Sequence, residues 1–292
     1  MNSFTIKDLE NLSGIKAHTI RIWEQRYNFL KPERTETNIR YYSNNELKKI
    51  LNIALLNKYG FKISQIDKMN LHEVNEKILS LPQTEAKQER LINEAIGHLI
   101  DLNIDKFELL LNKYIHSYGI EKAITQIVFP FLEKIGILWV TNNINPAQEH
   151  LVSNIIRQKL IVGIDQISMP TQKGKTVLLF LPEGEHHELG LLFVTYLLKR
   201  KGINTIYLGS NIPVVDVEYV IKLKKPDLIY CHLTAISKNF NFDKFLSALS
   251  SKISQTPTVI SGRLTSSYTK KIPPKISLKR SFSAMMEFIE LL

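Results

Sequence analysis

Glu185-His186-His187-Glu188-Leu189-Gly190 is a polar stretch set between two apolar segments of different period. Before it runs Thr176-Val177-Leu178-Leu179-Phe180-Leu181, long enough to cross a sheet and too short for a typical helix. After it, residues 191–201 carry a helical pattern that Gly202 ends. A strand giving way to a helix puts the loop at a strand's carboxyl end, where ligands bind in open α/β sheets. Counting Glu183, the loop holds three carboxylates and two histidines. An imidazole there can ligate a metal while a nearby carboxylate fixes its tautomer through the other ring nitrogen. On spacing alone, however, a solvated surface loop accounts for these residues better.

The rest of residues 173–292 alternates apolar runs with helical patterns, which argues for a parallel sheet. Strands are expected at 176–181, 205–208, 228–233, 258–261 and 276–278, with helices at 188–201, 214–223, 242–250 and 282–291. The pattern suits a flavodoxin-like doubly wound sheet. Within it, Glu185-x-His187-x-x-Gly190 resembles the [Asp/Glu]-x-His-x-x-Gly signature of cobalamin-binding domains. The resemblance implies that His187 coordinates cobalt from below, displacing the cofactor's own base. It also implies that Glu185 hydrogen-bonds His187 and that Gly190 allows close packing beside the nucleotide tail. The family continues with Ser-x-Leu and Gly-Gly, where this chain reads Cys231-His232-Leu233 and Ser261-Gly262. Cofactor contacts are therefore expected at Cys231, Leu233, Ser261 and Gly262. Cysteine is a weaker hydrogen-bond donor than serine, and Ser261 adds a side chain where glycine lets the tail pass, so both changes can weaken binding. No second cysteine or ligand spacing supports a redox or metal role for Cys231, and an inert buried thiol is expected.

At the other end of the chain, Thr5-x-x-Asp8 reads as a capping box opening a short helix that Gly14 breaks. A second helix is expected over residues 18–27, with Ile20 and Trp23 as core candidates. Two short helices around a glycine turn form a helix-turn-helix, whose second helix enters the major groove. Lys16, His18, Thr19 and Arg21 lie near its start, although the pattern alone also fits a solvated face. Residues 32–42 read as a hairpin. Ser43-x-x-Glu46 then caps a helix over 44–59, and Ser64 a short one toward Met69. Thr19-Ile20-Arg21-Ile22-Trp23-Glu24-Gln25-Arg26-Tyr27, Pro32-x-Arg34 and Arg40-Tyr41-Tyr42-Ser43 resemble the winged helix-turn-helix of MerR-type regulators over residues 3–70. The resemblance implies DNA contacts, mostly to phosphates, by Arg21, Arg26, Arg34, Thr35, Arg40 and Tyr41, with Trp23 packed under the wing. Many such regulators dimerise through a long helix that follows directly. Ser80-Leu81-Pro82 interrupts the chain too early for one, so a homo-oligomer is expected to be held together by residues 84–292.

Residues 84–167 read as helical throughout, in segments 85–102, 105–117, 120–140 and 146–167. A four-helix bundle is the economical architecture. Antiparallel packing of the last two helices would bring Trp139, Glu149 and His150 to one end. Trp-x9-Glu-His resembles the motif by which the helical domain of light-sensing cobalamin regulators covers the cofactor's upper face. Those regulators carry a histidine directly after the tryptophan, where this chain has Val140.

The totals agree with this division. A chain of 292 residues has room for two or three domains with their own cores. No apolar run resembles a signal peptide or a membrane span, and the one cysteine is compatible with a reducing cytoplasm. Residues 1–70 hold 12 Lys/Arg against 7 Asp/Glu, the electrostatic footprint of a nucleic-acid binder. The expected organisation is multidomain, α plus α/β: a winged helix-turn-helix (1–72), a four-helix bundle (84–168) and a flavodoxin-like doubly wound parallel sheet (173–292). The expected function is that of a cytoplasmic, non-enzymatic regulator binding double-stranded DNA under the control of adenosylcobalamin or methylcobalamin, with its ligating residue at His187. Two alternatives stand beside it: a regulator whose sensor takes another ligand or a protein partner, and a cobalamin-carrying methyltransferase-like module. No segment is large enough for a catalytic barrel, which weighs against the second.

Overall fold

A computed structural model describes residues 3–141, 143–168, 174–234, 240–253 and 255–292. The chain forms two compact units, residues 1–155 and 156–292.

The first unit begins with α1 (Ile6–Ser13), opened by the Thr5/Asp8 capping box and closed by Gly14 at φ 76°. α2 (Ala17–Arg26) follows and buries Ile20 and Trp23. β1 (Glu33–Arg34) and β2 (Arg40–Tyr41) pair antiparallel as a short wing. α3 (Asn44–Lys58) starts at the Ser43/Glu46 capping box. α4 (Ile63–Ile66) is capped by Lys62, not by Ser64, which lies inside it. α5 (Leu71–Leu79) was not expected from periodicity, although Asn70 and Glu73 form a capping box at its start. α6 (Thr84–Ile100) and α7 (Ile104–Tyr118) come next. α8 (Ile120–Ala123) then runs through a π-helical turn (Ile124–Val128) into α9 (Phe129–Val140). The widened turn sits just before Pro130, which has no N–H to give and whose ring crowds the carbonyl four residues back. α10 (Pro146–Asp165) contains the division between the units.

Head and bundle are packed together. α3 lies along α6, and α1 touches α9. Asn93 donates to the Leu51 carbonyl at 3.4 Å and accepts from Lys134 at 3.3 Å. Lys58 pairs with Glu89 at 2.6 Å, and Lys48 with Asp101. Exposed ion pairs of this kind contribute about 0–1 kcal/mol each. Burial of Ile50, Leu51, Ile96 and Leu99 supplies the larger share.

In the second unit the elements alternate: β3 (Thr176–Pro182), α11 (Leu189–Arg200), β4 (Asn204–Ile212), α12 (Val214–Lys224), β5 (Leu228–His232), α13 (Phe242–Lys252), β6 (Thr258–Ser261), α14 (Arg263–Ser266), β7 (Ile276–Lys279) and α15 (Phe282–Glu290). The strands form a parallel sheet in the order β4-β3-β5-β6-β7, which is the flavodoxin-like order. β3 is buried from Val177 onward, as a strand covered on both faces must be. The strand order reverses between β3 and β5, the position at which open α/β sheets take ligands at the strands' carboxyl ends. The 183–188 loop follows β3 at this point.

Candidate cofactor site and nucleic-acid face

The loop after β3 is tied down by backbone and carboxylate together. The Glu185 N–H donates to the Pro182 carbonyl at 2.9 Å, and the Gly184 N–H to the Asn211 side chain at 2.9 Å. The Glu185 carboxylate is fully buried. A buried carboxylate is stable only when hydrogen-bonded. Here one oxygen accepts from the His187 backbone N–H at 2.9 Å and meets His187 Nδ1 at 2.6 Å, while the other accepts from the Thr234 N–H at 2.9 Å. The His187 side chain stays 56% exposed. Glu185 thus fixes the ring's orientation and, with Nδ1 engaged, leaves coordination of a metal to Nε2. Among the described residues no group of three or more His, Cys, Asp and Glu side chains could hold an ion. A lone imidazole suits a metal whose remaining ligands arrive with it. Glu188, at the mouth of the loop, pairs with Arg157 at 2.9 Å.

Behind the loop, α11 approaches the end of β5 closely. A Cβ on Gly190 would lie 2.4 Å from His232 Nε2 and 2.5 Å from its Cδ2. The His232 ring therefore fills the space that the glycine leaves. Its Nδ1 is 2.8 Å from Ser261 Oγ, which is also 2.6 Å from the Tyr230 hydroxyl. Burial pushes the His232 pKa from the ordinary 6.5 down to about 4, partly offset by the nearby charge of Glu185. An unfolded chain takes up a proton at this residue near pH 6.5, whereas the folded one resists until about pH 4. Stability should therefore fall on acidification through that window, by about 2–3 kcal/mol. Urea titrations at neutral and acid pH should show this loss in the wild type and a smaller one in His232→Gln; equal losses would refute it.

Alternation along the strands separates the residues grouped in the sequence. Ser261 faces the His232 side. Cys231 and Leu233 lie in the opposite hydrophobic cluster with Phe180, Val217, Leu246 and Ile260. Burial pushes the Cys231 thiol pKa well up, which keeps it protonated and unreactive. Gly262, at φ 104°, sits where a Cβ would lie 2.3 Å from the Leu233 carbonyl oxygen. Its role is the close crossing of two backbones. His232, Thr234 and Asn211 were not singled out in the sequence. His232 alone had a signal, as the variable residue of the Ser-x-Leu position.

In the first unit, Trp139 ends up 46% exposed on the last turn of α9. Glu149 and His150 lie in the first turns of α10, with His150 Nδ1 3.1 Å from the Glu149 carboxylate. The loop between the two helices includes residue 142, outside the described residues, and the Val140 side chain is also undescribed.

On the helix-turn-helix head, Lys16, His18, Arg21, Arg26, Arg34 and Thr35 are exposed, whereas Thr19, Arg40 and Tyr41 are half-buried. Arg40 Nε pairs with Glu24 at 3.0 Å, and the Tyr42 hydroxyl donates to the same carboxylate. Glu24 thus ties the wing to α2. Arg34 donates to the Asn38 side chain at 2.6 Å across the wing tip, where Asn38 takes φ 66°. The Tyr41 hydroxyl donates to Glu33, which raises the Tyr41 pKa. Lys16 pairs with Glu10 at 3.2 Å. Trp23 is buried and packs edge-on against Phe29, with ring centroids 5.9 Å apart.

Comparison with known proteins agrees with these features. Residues 4–71 match the MerR HTH family regulatory protein model, and residues 91–162 match the B12 binding domain model. The HTH-type transcriptional repressor CarA of Myxococcus xanthus is 29% identical over 226 residues, covering 77% of this chain and 74% of that protein. The HTH-type transcriptional repressor CarH of the same organism is 25% identical over 257 residues, covering 85% and 84%. Among solved structures, the Methanosarcina barkeri monomethylamine corrinoid protein superposes with a TM-score of 0.57 at 14% identity, covering 70% of this chain and all of that one. That likeness concerns the fold. The donor set fits a corrinoid at its metal, since one imidazole oriented by the buried Glu185 would suit a cobalt whose other ligands come with the ring.

Proposed function

We propose, from a chain that joins a MerR-type DNA-binding head to a B12-binding helical domain, that this protein is a transcription regulator whose hold on DNA is set by a bound cobalamin. The observation that carries the reading is the buried Glu185 carboxylate clamping His187 at the switch point of the sheet. His187 would serve as the protein's ligand to cobalt, and Glu185 would hold its tautomer. Trp139 and the Glu149–His150 pair are the helical domain's candidates for contact with the cofactor. Adenosylcobalamin and methylcobalamin carry a cobalt–carbon bond that light can break. Valine at position 140 offers no ligating atom, so a ligand taking that place on cobalt would come from elsewhere. The exposed cations of α2 and the wing are assigned to phosphates, and two copies of the chain to a two-fold operator. No catalytic role is assigned.

Protein purified after cobalamin supplementation should carry a corrinoid absorbance spectrum. His187→Ala should shift that spectrum and lower affinity by tenfold or more, roughly the penalty for losing an ordered ligand shell. Operator affinity should differ between loaded and unloaded protein. Failure of adenosyl-, methyl- and hydroxocobalamin to bind at micromolar concentrations would reject the cofactor. The ring of His232 against Gly190 favours a second reading, a sensor that has turned to another ligand, and the same titration separates the two.

A further inference from the structure

Away from the His187 loop, the amino ends of the five parallel strands form a second rim of the sheet, and that rim is basic along its whole length. Lys175 precedes β3, Lys201 precedes β4, Lys225 precedes β5, Lys252 precedes β6 and Lys275 precedes β7. The backbone fixes two of them there: the Lys175 carbonyl accepts from the Asn204 N–H at 2.9 Å, and the Lys275 carbonyl from the Thr258 N–H at 2.7 Å. Lys199 and Arg200 add to the last turn of α11, and Lys222 and Lys224 to that of α12. Carboxylates are fewer. Glu218 pairs with Lys222 at 2.6 Å and Lys252 at 2.8 Å, Glu290 lies 3.7 Å from Lys201, and Asp227 accepts from the Thr176 N–H at 2.7 Å. Lys224, Lys225 and Lys275 are exposed and have no ion pair among the described residues.

Part of this charge has a local cause, since cations in the last turns of α11, α12 and α13 offset the negative ends of those helices. That cause does not reach Lys175 and Lys275, which belong to no helix end. Nor does it account for the backbone at Lys225 and Lys275, at φ 48° and 66°, a region that glycine enters far more easily. Lysine stands where the chain alone would favour glycine. Beside Lys225 the rim is concave, with a hollow of about 560 Å³ lined by Lys222, Lys225, Gln255 and Thr256 among others. Five strands about 4.8 Å apart give a rim about 19 Å long, a length over which duplex DNA carries about eleven charges.

We propose that this rim is a second DNA-binding surface, which holds phosphates of duplex outside the operator half-sites without reading their sequence. Lysine suits that task, because it meets phosphate as a point charge and lacks the guanidinium fork that reads base edges. DNA held by the head is presented to the rest of the chain at high effective concentration, so contacts too weak to act alone still count. On an operator no longer than its two half-sites the heads set the salt dependence, and on longer duplex the rim adds to it. The inference rests on the DNA-binding reading above and is independent of the cofactor.

The test is fluorescence anisotropy of the full-length protein on a random-sequence duplex of about four helical turns, across a salt series. A variant carrying Arg21→Ala, Arg26→Ala and Arg34→Ala loses the exposed guanidiniums of the head. It should still bind the duplex, with a log–log slope near −3, as for about three phosphates. Adding Lys224→Gln, Lys225→Gly and Lys275→Gly should flatten that slope by about 2 units and weaken binding at about 50 mM salt by tenfold or more. The same three lysine substitutions should leave the melting temperature unchanged or raise it, because glycine relieves the two left-handed positions. Loss of all duplex binding in the head variant overturns the proposal and leaves the head's assignment in place. So does a slope that the lysine substitutions do not change. A fall in melting temperature with DNA binding intact also overturns it, by making these lysines residues of the fold. Lysine-dependent capture by phosphatidylcholine–phosphatidylserine vesicles, with no lysine dependence on DNA, overturns it in favour of a membrane surface. A wild-type protein that binds no duplex at all removes the DNA reading of the head and this inference with it.

Discussion

Raising salt from about 50 to 200 mM should loosen the full-length protein from its operator by about a thousandfold. Lys16, Arg21, Arg26 and Arg34 stand exposed on α2 and the wing, and Arg40 is half-exposed beside them. Two heads on a two-fold site, each neutralising about three phosphates, release about six counterions and give a log–log slope near −5. Arg21→Ala should weaken binding evenly across operator variants and reduce the slope by about 1 or 2, one unit for each copy's phosphate. Arg40 differs, because its guanidinium already pairs with Glu24. Arg40→Ala should cost DNA affinity chiefly by releasing the wing from α2. Fluorescence anisotropy across a salt series measures all three quantities. A slope shallower than −2 would show that this face is not where phosphates are met.

Gly262→Ala should cost the fold about 4 kcal/mol, the sum of a backbone region closed to alanine and an overpacked contact. The added carbon would lie 2.3 Å from the Leu233 carbonyl oxygen and 2.7 Å from its carbonyl carbon and nitrogen, all backbone atoms of a central strand's end. Neither chain can yield without breaking the β5–β6 register, in which His232 pairs with Ser261. Gly190→Ala is the informative control. Its added carbon meets only the tip of the His232 ring, on a side chain that can turn away. It should cost about 1 kcal/mol, a rotamer's worth. Thermal melts of the two variants should separate them clearly; equal losses would mean that the crossing at Gly262 is looser than described.

The strands and helices of the second unit were legible because their periods are strong and their turns carry glycine. β6 falls on the expected residues, and β3, β5 and β7 within one residue at an end. β4 was read short, since Gly209-Ser210-Asn211 looks like a turn yet continues an edge strand with Gly209 and Asn211 at positive φ. α5 was missed although its capping box was in view. With only Val74 and Ile78 buried, its apolar period is too thin to stand out. At the site, the Glu185–His187 pairing was legible from family resemblance, whereas spacing alone fitted a solvated loop better. The packing behind it was not. Which side of β5 each residue takes depends on register, and register placed Cys231 in the core and His232 against Gly190.

The docking of α3 along α6 bears on how such a regulator lets go of DNA. A reader strung on a slack tether can be switched off by being allowed to wander. Here the reader is packed against the bundle instead, through buried apolar side chains of α3 and α6 and through Asn93, Lys58 and Lys48. Blade and handle are one piece. If two copies meet on a two-fold operator, an input felt by the bundle would move each head together with it and would act by re-spacing the copies against one another. The operator is an unforgiving gauge of such spacing, since half-sites recur about every 34 Å and an intermediate separation faces the wrong side of the double helix.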